Sequence, residues 1–365
     1  MNRTMKNTII ALFITCTASV MAQDYKVEEI TNELKYPWSI DFLPNGDFIV
    51  TEKAGDLLII SADGTDRAVV KGMPKALVKG QGGLQDVMLD SDFVNNQRIY
   101  VSYASGTGNE NYLKLLSATL KDGELTDVKT ILTSSPAKTT AHHYGARMAE
   151  LTDGTIVISV GDGYSYRDQA QTLDNHFGKI LRINKDGSVP QDNPYVKNKD
   201  AKPEIYSLGH RNPQAMLQAP DGTIWSHEHG PKGGDELNII EAGVNYGWPA
   251  ITYGIDYSGA IISPYTEADG MAQPVTHYVP SIAPAGMTLY TGDKFKEWQG
   301  NLFISSLAER SLRRLTLKDN KVTNQEILLK DRGERLRDVR TGPDGNLYIL
   351  TDDNNGKLLR LVPAS

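Results

Sequence analysis

A turn followed by a short apolar strand recurs six times along this 365-residue chain, and no other feature limits its folding choices as strongly. Pro44-Asn45-Gly46 leads into Phe48-Ile49-Val50, and Thr152-Asp153-Gly154 into Ile156-Val157-Ile158. Pro220-Asp221-Gly222 leads into Ile224-Trp225, and Pro343-Asp344-Gly345 into Leu347-Tyr348-Ile349. Two variants lack the Asx-Gly pair: Asn96-Gln97 before Ile99-Tyr100-Val101, and Gln299-Gly300 before Leu302-Phe303-Ile304. Glycine supplies the positive φ of a tight turn, and the residues after it suit a pleated strand. The mean spacing of about 60 residues is what four short strands and their loops need, so six units predict an all-β, six-bladed β-propeller. No Pro/Ser/Gly linker divides the chain, which disfavours a pair of β-sandwiches. In a propeller the long loops gather at one end of the axis, where a pocket can form.

Composition narrows the function classes. Charged residues make up 23% of the chain and hydrophobic ones 39%, which excludes wholesale disorder and a multi-span membrane protein. The net charge of −7 is the opposite of a nucleic-acid binder's basic footprint. Residues 1–22 read as a secretory leader: Arg3 and Lys6 open it, Thr8 to Thr17 is mostly apolar, and Val20-Met21-Ala22 offers small residues for cleavage. The expected product is a periplasmic or secreted chain, residues 23–365, forming one propeller. Cleavage near Ala22 removes Cys16, the only cysteine, and with it thiolate metal sites and cysteine nucleophiles.

No Gly-x-Ser-x-Gly elbow and no phosphate-binding Gly-Lys-Ser/Thr loop occurs. Gly80-Gln81-Gly82-Gly83 lacks the third glycine position of a dinucleotide fingerprint. His227-Glu228-His229 puts two imidazoles on one strand face but has no third zinc ligand nearby. Four other segments carry chemistry. His142 to Arg147, followed by Val160-Gly161-Asp162-Gly163, pairs a histidine base with a carboxylate from the next strand, and Arg147 is placed to fix an anion. Gly209-His210-Arg211-Asn212-Pro213-Gln214 sets a guanidinium and an amide on a rigid turn, suited to a planar, oxygen-rich ligand. Glu228 to Glu236 mixes a Gly-Pro peptide with acids, the oxygen set that Ca2+ favours. Arg335 and Arg337 alternate on a strand and share a face, so they need anions from Glu334 and Asp338 or from a ligand. These segments imply a polyanionic cofactor with a metal, held where guanidiniums converge at one mouth of the toroid.

These residues resemble the soluble aldose sugar dehydrogenases that use pyrroloquinoline quinone (PQQ), in the glucose/sorbosone dehydrogenase superfamily of six-bladed propellers. The markers run through nearly all of the chain after the leader. They include Tyr36 to Ile40, Phe42 to Gly46, Gly80 to Leu84 and Gly178 to Ile183. Pro190 to Pro194, Asn245 to Pro249, and Arg335 to Thr341 running into Gly342-Pro343-Asp344-Gly345 complete them. The resemblance implies that His143 is the general base, oriented by Asp162, with Gln81 on the sugar side. It implies PQQ contacts at Arg211, Asn212, Tyr257, Arg335 and Arg337. The carbonyls of Gly230 and Pro231 would hold a Ca2+ that touches the quinone; Glu236 and the Tyr246 carbonyl would hold a second, structural one. The implied reaction is oxidation of an aldose at C1 to the lactone, with electrons passing to an external quinone or cytochrome; monomer and homodimer both remain open. Two departures stand out: Ser306-Leu307-Ala308-Glu309 occupies a place where some members have a lysine, and His142 stands where some have an acid. The competing functions are a Ca2+-dependent propeller lactonase and a non-catalytic binding propeller.

Overall fold

The computed structural model describes residues 25–364; the expected leader and Cys16 lie outside the described residues. Six four-stranded antiparallel sheets form the blades of a β-propeller. From blade 1 to blade 6 the innermost strands are Pro37–Phe42, Leu84–Leu89, Met148–Glu150, Pro213–Gln218, Pro284–Leu289 and Leu336–Thr341. They pack neighbour to neighbour around the axis, the last against the first. The second strands are Phe48–Glu52, Arg98–Gly106, Thr155–Val160, Ile224–Glu228, Leu302–Ser306 and Leu347–Thr351.

All six sequence turns fall in the same place, between a blade's innermost and second strands. Gly46, Gly154, Gly222 and Gly345 have φ of 93°, 82°, 91° and 80° there, and Gln97 takes the left-handed position, at 52°, in blade 2. The second strands are buried on both faces, because neighbouring blades cover each sheet. That is why they read as continuous apolar runs. Blade 6 takes three strands from the C-terminal end and its outer strand, Tyr25–Leu34, from the beginning, paired from Tyr25 opposite Pro363 to Leu34 opposite Gly356 with register shifts after Glu29 and after Thr31. The exchange pins the two ends of the ring together.

Arg147 holds the axis. Its guanidinium, 2% exposed on its side chain, lies 3.1 Å from Asp86 of blade 2 and 3.0 Å from Asp338 of blade 6. Nε donates to Gln214 O of blade 4 at 2.9 Å, Nη2 to Trp38 O of blade 1 at 3.4 Å, and the group lies 4.1 Å over the Trp38 ring. Arg340 shares the same two acids. The sequence placed Arg147 as a ligand for an anion. The structure corrects this, because internal carboxylates satisfy the group and a buried charge is stable only when so paired.

Candidate active site at one mouth of the propeller

The residues singled out above gather at the end of the axis opposite the six turns. Tyr36, Gln81, His143, Arg211 and Arg335 precede innermost strands, whereas Lys53, Asp162, His229, Leu307 and Asp352 follow second strands. They line two adjoining cavities. One, of about 320 Å³, is walled by Trp38, Lys53, Gln81, His229, Arg335 and Arg337, with Asp352 and Leu307. The other, of about 430 Å³, is walled by His143, Asp162, Arg211, Pro231, Trp248 and Tyr257. Gln81 joins them by accepting the His143 N–H at 2.7 Å, and Arg211 by donating to His229 O at 3.1 Å.

His143 Nδ1 lies 2.6 Å from Asp162 Oδ1. Asp162 also accepts the Tyr164 N–H at 2.7 Å and Trp248 Nε1–H at 2.8 Å. A carboxylate so furnished accepts from Nδ1–H, which leaves the Nε2 lone pair as the basic site. Burial pushes the His143 pKa down, Asp162 opposes this, and Arg211 and Lys138 add to it; the net position is below the ordinary histidine value. The imidazole is therefore neutral at pH 7. Burial raises the Asp162 pKa, but His143, Arg211 and the Tyr164 N–H outweigh it and hold the acid ionised.

The local backbone fits this pairing. His143 has φ of 48°, a conformation that histidine adopts more readily than most residues. A Cβ at Gly161 would lie 2.4 Å from His143 O and 2.8 Å from Asn212 Oδ1, so only glycine lets the Asp162 loop approach this closely. Asn212 is 1% exposed and accepts the Gly145 N–H at 3.1 Å, which places it behind the His143 loop and outside both cavity walls.

Arg335 Nε and Nη2 donate to Asp352 Oδ2 at 2.9 and 2.7 Å, and Arg337 reaches Oδ1 at 3.4 and 3.3 Å. The two do share a face. The neutralisers named from sequence are engaged elsewhere: Glu334 with Arg332 and Lys357, Asp338 with Arg147 and Arg340. Asp352 takes that role, one carboxylate for two guanidiniums. Burial, Arg147 and Arg335 still hold the Arg337 pKa below its usual value against the pull of Asp352. The side chain of Arg211 donates to the carbonyls of His229 and, at 2.6 Å, Gly230, and sits 5.4 Å from the Trp248 ring and 6.0 Å from that of Tyr257. Tyr257, 60% exposed, forms the outer wall.

The metal-ligand expectations meet a mixed setting. Gly230 O already accepts from Arg211, while Pro231 lines the second cavity. Glu236 lies across from Glu228 on the adjacent strand, and its one side-chain hydrogen bond comes from Asn238 Nδ2 at 3.2 Å. Burial, and then the neighbouring Glu228 charge, push its pKa well up. Two carboxylates facing across adjacent strands, one of them with a single side-chain hydrogen bond, offer oxygen donors of the kind a hard cation takes. The Tyr246 ring stacks on His210 at 4.7 Å. Among the described residues no group of three or more His, Cys, Asp or Glu side chains converges as a metal site. His229 Nε2 donates to Pro284 O at 2.7 Å, and His227 is buried with neither ring nitrogen bonded, so the pair gathers no third ligand for zinc.

Sequence reasoning missed Lys53, Asp352 and the Trp248 indole. The usable signal was positional: Lys53 and Asp352 follow their blade's second strand just as Asp162 and His229 do.

Fold and mouth together define a propeller with a neutral, carboxylate-oriented base beside a cationic axial cavity. The glucose/sorbosone dehydrogenase family model matches residues 34–360, and the chain belongs to this family; it is an oxidoreductase. It is 40% identical over 347 residues to the aldose sugar dehydrogenase YliI of Escherichia coli, covering 93% of each chain. The apo-form crystal structure of the E. coli soluble aldose sugar dehydrogenase superposes with a TM-score of 0.90 at 39% identity, over 93% of this chain and 100% of that one. Quinoprotein glucose dehydrogenase B of Acinetobacter calcoaceticus is 27% identical over 417 residues, covering 92% of this chain and 87% of that one.

Proposed function

We propose that this protein is a PQQ- and Ca2+-dependent dehydrogenase that oxidises aldoses at C1 to lactones in the periplasm, after leader cleavage near Ala22. One observation carries the reading: Arg335 and Arg337 share a single carboxylate at a mouth that adjoins the His143–Asp162 pair. Such a mouth favours a guest with several negative charges, and PQQ carries three carboxylates. The name of the Acinetobacter relative, a quinoprotein, supports the same cofactor class.

PQQ, when bound, supplies the two-electron acceptor for the hydride lost from C1. The chain's own residues do the rest. His143 Nε2 removes the proton of the C1 hydroxyl, and Asp162 stabilises the imidazolium that forms. Gln81 spends its oxygen on His143 N–H, which leaves its amide N–H groups for a sugar oxygen. Arg211, Arg335 and Arg337 bind cofactor carboxylates, Tyr257 covers the outer side, and Asn212 fixes the loop behind the base. The Gly230 and Pro231 carbonyls would hold one Ca2+, which would draw electron density from the quinone, and Glu236 with the Tyr246 carbonyl would hold a second, structural one. The external electron acceptor would be a quinone or a cytochrome. The test is reconstitution of purified apoprotein with PQQ and Ca2+ in an aldose:dye assay. Activity on at least one aldose is expected; none over a broad panel would refute the dehydrogenase reading.

A further inference from the structure

Lys53 enters none of the roles above, yet it faces the same cavity as Arg335 and Arg337. It follows the second strand of blade 1, and its main chain is pinned on both sides: its N–H donates to Tyr36 O at 3.1 Å, and its carbonyl accepts the Leu84 N–H at 3.3 Å. A Cβ at Gly83 would lie 2.2 Å from Lys53 O and 2.8 Å from Lys53 Cγ, so the absence of a side chain at Gly83 makes room for the Lys53 carbonyl and the base of its side chain. Among the described residues its ammonium has no hydrogen bond or ion pair. Asp352 attracts it from a distance and Arg337 repels it. Three cations thus face the cavity with one carboxylate among them, and that carboxylate is already shared by the two arginines. Blade 5 brings no charge to this lining: it contributes Ala283 and Leu307, the latter with its carbonyl held by Arg335 Nη1 at 3.3 Å.

We propose that Lys53 is a further cofactor-binding residue, its ammonium pairing with a carboxylate of the bound quinone and supplying from blade 1 the positive charge that Leu307 and Ala308 do not supply from blade 5. The inference rests on the PQQ reading. A lysine that is half-buried and has no internal partner loses little on pairing with an incoming anion and gains a charge-assisted bond. The same chemistry would also suit an acidic substituent on the sugar, and the experiment separates the two.

The test is equilibrium binding of PQQ to the full apoprotein, read by quenching of tryptophan fluorescence, for wild type, Lys53→Gln and Lys53→Arg. Lys53→Gln is expected to weaken Kd about tenfold and to flatten its salt dependence, while Lys53→Arg stays within about threefold of wild type. A Kd for Lys53→Gln within about twofold of a normally binding wild type would overturn the role of Lys53 alone. No PQQ binding by wild type would overturn the cofactor reading beneath it. An unchanged Kd with a KM raised for glucuronate but not for glucose would move the ammonium to the substrate and overturn the proposal.

Discussion

Replacing Asp352 with Asn tests whether the arginine pair is a self-contained ion network or a receptor waiting for an anion. The substitution keeps the shape and removes the one negative charge between Arg335 and Arg337. Arg335 is 43% exposed on its side chain, so water takes over much of its loss; Arg337, at 13%, has Arg147 and Arg335 as cationic neighbours. Removing one partner of a fully buried pair costs about 3–5 kcal/mol. The Arg337–Asp352 contacts are long, at 3.3 and 3.4 Å, and the site is partly open, so about 2 kcal/mol is reasonable here. For a chain of this size that lowers Tm by about 3 °C. Thermal denaturation at low salt, with and without PQQ, reads the effect. The variant should melt below wild type when empty and gain more from PQQ than wild type does, because the ligand then supplies the missing charge. Equal melting with an equal ligand-induced gain would refute the reasoning.

Three further outcomes follow from the same structure. Asp162→Asn should cut kcat by at least about 100-fold and shift the acid limb of kcat/KM to lower pH, because Asp162 raises the His143 pKa against burial; a limb that stays put or moves up contradicts this. Arg147→Met strands Asp86 and Asp338 on Arg340 alone and should cost about 3–5 kcal/mol in urea unfolding, where a loss under about 1 kcal/mol would deny Arg147 its place at the axis. Ca2+ should raise the Tm of wild type, and Glu236→Gln should remove most of that increment; an undiminished increment would place the stabilising cation elsewhere.

The fold was legible because its signal is local. A hairpin turn needs a positive φ within two or three residues, so each blade announces itself at Gly46, Gln97, Gly154, Gly222, Gly300 and Gly345. Closure of the ring was not legible, since the pairing of Tyr25–Leu34 with Gly356–Pro363 joins opposite ends of the chain. The site divides in the same way. His143 and Asp162 lie close together in the chain, and Arg335 and Arg337 stand two residues apart in extended backbone at the start of one strand, so local geometry exposed them. Which acid neutralises the arginines is a long-range question. The adjacent Glu334 and Asp338 were disfavoured because a strand turns them to the opposite face, and they do pair with Arg332, Lys357, Arg147 and Arg340; that Asp352 serves instead was not legible. Burial was equally hidden: nothing around Arg147 in the sequence tells that five blades meet on it.

The most direct measurement is a PQQ titration of the apoprotein by absorbance, on wild type, His143→Ala and the double variant Arg335→Gln/Arg337→Gln. Saturable one-to-one binding is expected in wild type, retained in His143→Ala and weakened at least about 100-fold in the double variant. Equal affinity in all three would contradict the claim that the cationic mouth exists to hold a multiply charged guest.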